Sequence, residues 1–596
     1  MISFSRWLNR SKSLAAVTRK QDIAAASPVE KETARAEAER WLLKGRNAVA
    51  SEQPSEAEAA FEHALSLMHD FAPAHHALGQ LKLRQERYED AADSLQLAVL
   101  FAPERAEAHA ELALAFARQG MHDAARHAAE EAIRRARDSL HAWTLCAQAF
   151  KALGELDRAA DCYEAALRHH PDVCDLICQA GYVHFLRGAY DAAFEAYQAV
   201  LAREPDHLAA LHNLGLLELE TGLAEQALGH FQRAAAIAAG PATLACIGHA
   251  LRDLNRLREA CSAYEKAIAL DPEFGDARIN LSYALLMLGD LSAGWALYES
   301  RFSATGSKAR DFGLPYWRGE PLAGRRLLVF AEQGLGDEIM FASCIRNAIE
   351  AADQCVIECN TRLAGLFARS FPDALVHGGE KAADTGWLAS MPRCDYQIAI
   401  GSLPRYFRPT AQSFSGAGPY LVADSSRVAQ WRSRIRLDHR LHIGIAWRGG
   451  NLRARQWLRS IPLAQWSNLL GLPDCRFVTL QHGECEQEIA QATCEHGISV
   501  LNLNHVCSDI DDLASVVCAL DLVITVDNTL AHLAGALGRE AWVLLPVAPE
   551  WRYPRQGSHM PWYGPVRLYR RTAPQDASGV MGQIVRDVQL ALQRSW

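Results

Sequence analysis

The stretch AADCYEAALRHHP, Ala159–Pro171, decides the first half of the fold. It sets alanines seven apart at Ala159 and Ala166, a tyrosine four after the first at Tyr163, and a proline at Pro171. Seven residues are about two helical turns, so both alanines share a face. The pair recurs as Ala57 and Ala64, Ala91 and Ala98, Ala125 and Ala132, Ala227 and Ala234, and Ala260 and Ala267. Aromatics hold the same offset at Phe61, Tyr197, Phe231 and Tyr264, and glycines mark the preceding segment at Gly45, Gly79, Gly181, Gly215 and Gly248. Pro171 and Pro205 stand 34 apart, Pro103 and Pro171 68 apart, and Pro205 and Pro272 67 apart. The period is therefore about 34 residues, the length of two antiparallel helices and their turn. Alanine and glycine let the two backbones approach, the aromatic fills the space beside them, and proline stops the second helix.

These features resemble the tetratricopeptide repeat. Seven units run from Glu37 to Pro272, and an eighth, weaker one runs to Phe302, with Gly294 in the alanine place and Tyr298 in the aromatic place. Stacked units predict a right-handed α-solenoid over residues 36–304, with a concave groove. The groove reads as a surface for a protein or peptide partner; a spacer or an oligomerisation arm is the alternative reading.

At 596 residues the chain is long enough for two to four domains, and 49% hydrophobic with 22% charged residues is a globular composition. A net charge of -9 gives no electrostatic support for nucleic-acid binding. No apolar run reaches about 18 residues, so no stable membrane insertion is expected. The opening MISFSRWLNRSKSLAAVTRKQD lacks a secretory core, and residues 1–35 are expected to be a flexible leader, or else a weak amphipathic surface helix. Fifteen cysteines without a C-x-x-C pair fit free, buried thiols and a cytoplasmic location. Cys174 and Cys178 share a helical face, but nothing near them completes a metal site.

After a linker at 305–324 the period changes. Short apolar runs, RLLVFA, CVIECN, YQIAIG, LHIGIAW, RFVTLQ, DLVITVD and AWVLLP, alternate with amphipathic stretches. That alternation predicts parallel, doubly wound α/β sheets. A stretch bearing proline and glycine, Gly401–Asp424, divides them into lobes at 325–420 and 421–596, which predicts a ligand cleft at the carboxyl ends of the strands.

Three loops carry the candidate chemistry. LLVFAEQGLGDEIMF, Leu327–Phe341, ends a strand in Gly334 and Gly336 and then opens a helix with Asp337 and Glu338. A dinucleotide fingerprint would need glycine where Ile339 stands, and a Walker loop would need Lys-Ser or Lys-Thr, which is absent. HIGIAWRGGN, His442–Asn451, places Trp447, Arg448, Gly449 and Gly450 after a strand, a cation and amides suited to phosphate. DLVITVDNTLAHLAGALG, Asp521–Gly538, places Asp527, Asn528, Thr529 and His532 at a strand tip and helix start, where amides favour an anion and His532 adds a hydrogen bond or a charge. Asp527 or Asn528 as a simple helix cap, with His532 packed in the core, is the structural alternative. Gln481 and His482 end a third strand.

Together these loops resemble the heptosyltransferase-like glycosyltransferases, two-lobed enzymes of the GT-B fold, over about residues 325–590. The resemblance implies an acceptor lobe whose Gly336-Asp337 supplies the base, and a donor lobe whose Asp527–Leu533 segment binds the nucleotide-sugar phosphate. Asn528 replaces the usual threonine, and Arg448 stands where the family tends to use lysine. Repeats preceding such lobes resemble the flagellin glycosyltransferases of certain polarly flagellated bacteria. The implied function is transfer of a sugar, in that group a nonulosonic acid, from a nucleotide donor to Ser or Thr of a protein held by the repeats. The implied roles are Asp337 as base with Glu338 as the alternative, acceptor-lobe glycines Gly334 and Gly336, and donor contacts from Trp447, Arg448, Gly449, Gln481, Asp527, Asn528, Thr529 and His532. Metal-independent transfer is expected, so neither a metal nor a cofactor is expected beyond the nucleotide sugar itself. Pro549–Arg570 reads as a lid carrying Trp551, Arg552, Trp562 and Tyr563, or as a packed loop returning to the first lobe. A non-catalytic scaffold for flagellar or envelope assembly, and a heptosyltransferase acting on envelope glycan, are the alternative functions.

Overall fold

A computed structural model describes residues 28–304, 310–379, 385–414, 418–449, 456–573 and 577–593. Residues 1–27 of the expected leader, 305–309 of the linker and Gly450 lie outside the described residues. The chain forms two compact units that divide at Leu217, well before the sequence boundary at 304.

The first unit is built of helical hairpins: Pro28–Ala50 with Pro54–Leu67, Ala72–Arg84 with Tyr88–Phe101, Ala106–Arg118 with His122–Arg135, Leu140–Ala152 with Leu156–His169, and Cys174–Leu186 with Tyr190–Arg203. Among the described residues the first helix is Pro28–Ala50, so residues 28–35 of the expected leader are helical and belong to a hairpin. The alanines of the repeat pattern are closed off from solvent: Ala91, Ala125, Ala132, Ala159 and Ala166 are all at 0% exposure. A side chain on Gly45 would place its Cβ 2.3 Å from the Phe61 ring, and Gly181 and Gly248 meet Tyr197 and Tyr264 in the same way.

A second ruler, absent from the sequence reading, lies in the hairpin turns. Residues 52, 86, 120, 154, 188, 222, 255 and 289 all take positive φ, as five glycines plus Glu52, Glu86 and Asn255. Their spacing repeats the 34-residue period because each turn reverses the chain through the same left-handed residue.

The second unit begins within helix Leu208–Glu220 and continues through Ala224–Ile237, Pro241–Asp253 with Leu257–Leu270, and Gly275–Leu288 with Leu291–Tyr298. Two sheets follow. The first holds β1 (Arg326–Phe330), β2 (Gln354–Asn360), β3 (Ala374–Gly379) and β4 (Tyr396–Ala399), all parallel, in the order β3-β2-β1-β4. The second holds β5 (Leu441–Ala446), β6 (Cys475–Thr479), β7 (Val500–Asn502), β8 (Leu522–Val526), β9 (Ala541–Leu545), β10 (His559–Met560) and β11 (Tyr563–Arg570). Its order is β10-β11-β9-β8-β5-β6-β7, parallel except for the short β10–β11 hairpin. Leaving β10 aside, this is the 3-2-1-4-5-6 arrangement whose direction reverses between β5 and β8.

The seven apolar runs of the sequence become β1, β2, β4, β5, β6, β8 and β9. β5, β8 and β9 are buried along their whole length because both faces are covered. The strands missed were edges or near-edges with weaker apolar signals. β11 corrects the reading of Pro549–Arg570, since Tyr563–Arg570 is neither lid nor return loop but a strand pairing with β9.

The last hairpin is built into these sheets. Leu286, Met287, Trp295 and Tyr298 share one core with Ile339, Phe341, Trp551 and Trp562. The Trp295 indole donates to the Arg408 carbonyl at 3.0 Å, and Arg301 pairs with Glu332 at 2.8 Å. The described part of the linker joins too, with Arg310 on Glu358 at 2.9 Å and Tyr316 bridging Gln397. All fifteen cysteines are free, and thirteen are buried.

Candidate functional site

At the carboxyl ends of β1, β5, β6 and β8, all in the second unit, lies a cleft of about 550 Å³. The first sheet contributes the loop after β1. Gly334 is the N-cap of the short helix Leu335–Phe341, which puts Asp337 in the first turn at the cleft wall. The second sheet contributes the tip of β8, where Asn528 caps helix Thr529–Ala536. The two helix starts press together. A Cβ on Gly336 would lie 3.3 Å from His532 Cδ2 and 3.5 Å from the Thr529 hydroxyl, so any bulk at Gly336 would part them.

Arg362, Arg448, Arg459 and Arg552 line the cleft against the carboxylates Asp337 and Asp527. Counting only these groups, positive charge exceeds negative by two. A cleft with a cationic excess at the reversal point of a parallel sheet suits an anionic ligand.

The charges form a chain. Arg552 donates from Nε to Asp337 Oδ1 at 2.7 Å and from Nη2 to the same oxygen at 2.5 Å. Its Nη1 lies 3.7 Å from Glu550, Glu550 lies 3.3 Å from Arg459, and Arg459 lies 3.5 Å from Asp527. Asp527 is 3% exposed, and burial pushes its carboxyl above the ordinary value while Arg459 pulls the other way. His532 is 4% exposed, its Nδ1 lies 3.0 Å from the Tyr563 hydroxyl, and burial, helped by Arg552, lowers its pKa to about 4.

Several expected roles change. His532 is neutral near pH 7, so it brings a hydrogen-bonding ring and no positive charge. At the helix start, where amides were expected to favour an anion, Asn528 acts as the cap of the alternative reading, and its side chain accepts from the Leu530 and Ala531 amides at 3.1 and 3.4 Å. Asn528 also donates to the Arg448 carbonyl at 3.3 Å, tying β8 to β5. Trp447 is 1% exposed and packs beneath the second sheet, its indole bonded to Glu488, so its ring does not reach the cleft. Gly449 passes under Asp527, whose carbonyl would meet a Cβ at 2.3 Å; it serves close approach. Glu338 is fully buried and accepts from the Asn360 amide at 2.9 Å, which removes it as a second base. Gln481 lines the cleft, yet its Oε1 accepts from the Trp447 and Arg448 backbone amides at 3.0 and 2.8 Å. Arg448 faces the cleft while touching Glu488 at 3.3 Å. Gly334, Gly336, Asp337, Asp527 and Thr529 stand at the cleft as well.

Sequence reasoning missed Arg362, Arg459 and Glu550, and gave Arg552 only a lid role. Arg362 follows β2 and donates to the Cys507 carbonyl at 2.8 Å. Arg459 closes the arginine-rich run LRARQWLR, a signal that was present beside the glycine loop.

Among known proteins, the tetratricopeptide repeat family matches residues 42–99, 76–141, 144–199, 178–242 and 247–303, so the hairpins of this region are tetratricopeptide repeats. Protein FlbA of Caulobacter vibrioides is 36% identical over 301 residues, which are 48% of this chain and 50% of that protein. The chain thus spans about half the length of the curated relative it matches. A tetratricopeptide repeat protein from Parabacteroides merdae is 13% identical, with 42% of this chain and 99% of that one covered at a TM-score of 0.36. Yeast Tom70 is 17% identical, with 46% and 63% covered at a TM-score of 0.36.

Proposed function

We propose that this protein is a glycosyltransferase of the GT-B type. It would move a sugar from a nucleotide donor to a Ser or Thr hydroxyl of a protein presented by the repeats, with flagellin as the candidate acceptor. The observation that carries the reading is a carboxylate from one parallel sheet, Asp337, set against arginines gathered at the reversal point of another. Tetratricopeptide repeats supply a surface for the protein acceptor. The likeness to FlbA, together with the flagellin glycosyltransferase resemblance of the sequence, favours a flagellar acceptor.

In this reading the donor phosphate lies among Arg448, Arg459, Arg362 and the Thr529 hydroxyl. The acceptor oxygen bonds to the anomeric carbon as the bond from that carbon to the phosphate oxygen breaks. The hydroxyl proton passes to Asp337, and the nucleotide leaves with the electron pair, its charge met by the arginines. His532 contributes as a neutral hydrogen-bonding group.

The test is the intact mass of purified flagellin incubated with the protein and a panel of sugar nucleotides. The wild type should add one or more sugar masses, and Asp337→Ala should slow transfer by about 10²–10⁴-fold. Undiminished transfer by the variant would exclude Asp337 as base. Acceptor binding with no mass change across the panel would instead favour a repeat scaffold.

A further inference from the structure

The chain Asp337–Arg552–Glu550–Arg459–Asp527 crosses the cleft from one sheet to the other, and its members alternate in sign. Both arginines of the chain are engaged by carboxylates, and Asp337, the proposed base, is engaged by an arginine. Both contacts from Arg552 fall on the one oxygen Oδ1. Such a base is already engaged by a guanidinium.

The chain is also unbalanced. It holds three carboxylates to two guanidiniums; the side chains of Asp337, Arg459, Arg552 and Asp527 are largely buried, at 15%, 17%, 18% and 4% exposure, and that of Glu550 is 39% exposed. Its links lengthen away from Asp337, from 2.5 Å to 3.3–3.7 Å, so Glu550 holds both arginines loosely. A diphosphate or phosphodiester offers a guanidinium paired oxygens at fork spacing and more charge than one carboxylate.

We propose that this ion-pair chain is a donor-operated latch: the donor's phosphates take Arg552 and Arg459 from Asp337, Glu550 and Asp527, and so release Asp337 to receive the acceptor proton. The idea rests on the glycosyltransferase reading and adds an order to it, donor before acceptor. It assigns Arg459 and Arg552 as the anion clamp and Glu550 as a positioning residue that holds both arginines until the donor binds. Because carboxylates and ligand compete for the same guanidiniums, removing a carboxylate's charge must strengthen anion binding even as it abolishes or slows transfer.

Calorimetric titration of the full chain with inorganic pyrophosphate and with uridine diphosphate tests this without knowledge of the sugar or the acceptor. Asp337→Asn and Glu550→Gln should each bind the probes about 5–10-fold more tightly than the wild type. Arg552→Ala and Arg459→Ala should bind at least 10-fold more weakly. Melting curves identify any variant that fails to fold, and the two carboxylate variants stand in for each other. Wild-type affinity in both carboxylate variants, with weakening in the arginine variants, would overturn the latch and leave the anion cleft intact. Weakening by Arg448→Ala with no change on Arg552→Ala or Arg459→Ala would overturn the clamp assignment. Absence of binding by the wild type and every variant would overturn the latch and the cleft reading together.

Discussion

The imidazole of His532 is held neutral by its surroundings, with a pKa lowered to about 4. An unfolded histidine takes its proton near pH 6.5, so below that pH the unfolded chain gains a proton that the folded one refuses. The fold therefore keeps its full stability above pH 6.5 and loses it as pH falls from 6.5 towards 4. The spread of the two values corresponds to about 3 kcal/mol from this one ring. Urea unfolding at pH 7.5, 6 and 5 should show that loss, and His532→Gln, which keeps a hydrogen-bonding group near Tyr563, should show a shallower one. The sequence marked His532 as a site residue through its place one turn into a helix after Asp527. Its charge state was not legible there, because the groups that bury it, Tyr553, Tyr563 and Arg552, come from a segment further along the chain. Trp447 makes the same point in reverse. Its position after β5 argued for the cleft, but the alternation of a strand sends successive side chains to opposite faces, and this one goes to the core.

Within the repeats, two kinds of glycine do different work, and substitution separates them. Gly248 has an ordinary helical backbone, but a Cβ would lie 2.4 Å from the Tyr264 ring. Gly248→Ala should cost about 1–3 kcal/mol through overpacking. Gly154 has φ of 77° and nothing within 4 Å of a Cβ, so Gly154→Ala meets strain alone and should cost about 1–2 kcal/mol. Pairing each with Tyr264→Ala distinguishes them by chemical denaturation, since the smaller ring site should relieve Gly248→Ala and leave Gly154→Ala unchanged. The crossing glycines and alanines were legible because they recur at helical spacing. The turn ruler was not, because Glu52, Glu86 and Asn255 interrupt its glycines and their left-handed backbone shows only in three dimensions. Among the strands, the central ones announced themselves as apolar runs, whereas β3, part exposed, and the three-residue edge strand β7 carried too few buried residues to do so.

For the molecule as a whole, the last hairpin's membership in the sheet core has a direct consequence. A fragment of residues 239–596 keeps Leu257, Ile279, Leu286, Met287, Trp295 and Tyr298 with the lobes they pack against, and should unfold in a cooperative transition. A fragment of residues 305–596 exposes that surface and should lose the transition or aggregate, as differential scanning calorimetry and gel filtration would show. The repeat period, the identity of the repeats and the parallel-sheet character of the second half were determined by sequence alone, since each depends on spacing along the chain, and spacing survives without coordinates. The three loops of the cleft were legible for the same reason, as glycines, acids and a cation following apolar runs. Where the repeats end as a structural body, and how Asp337 is held, were decided only by tertiary structure. Both depend on Trp551, Arg552 and Glu550, about 210 residues beyond Asp337 in the chain. No local pattern joins them to it; the folding of two sheets and a hairpin onto one core does.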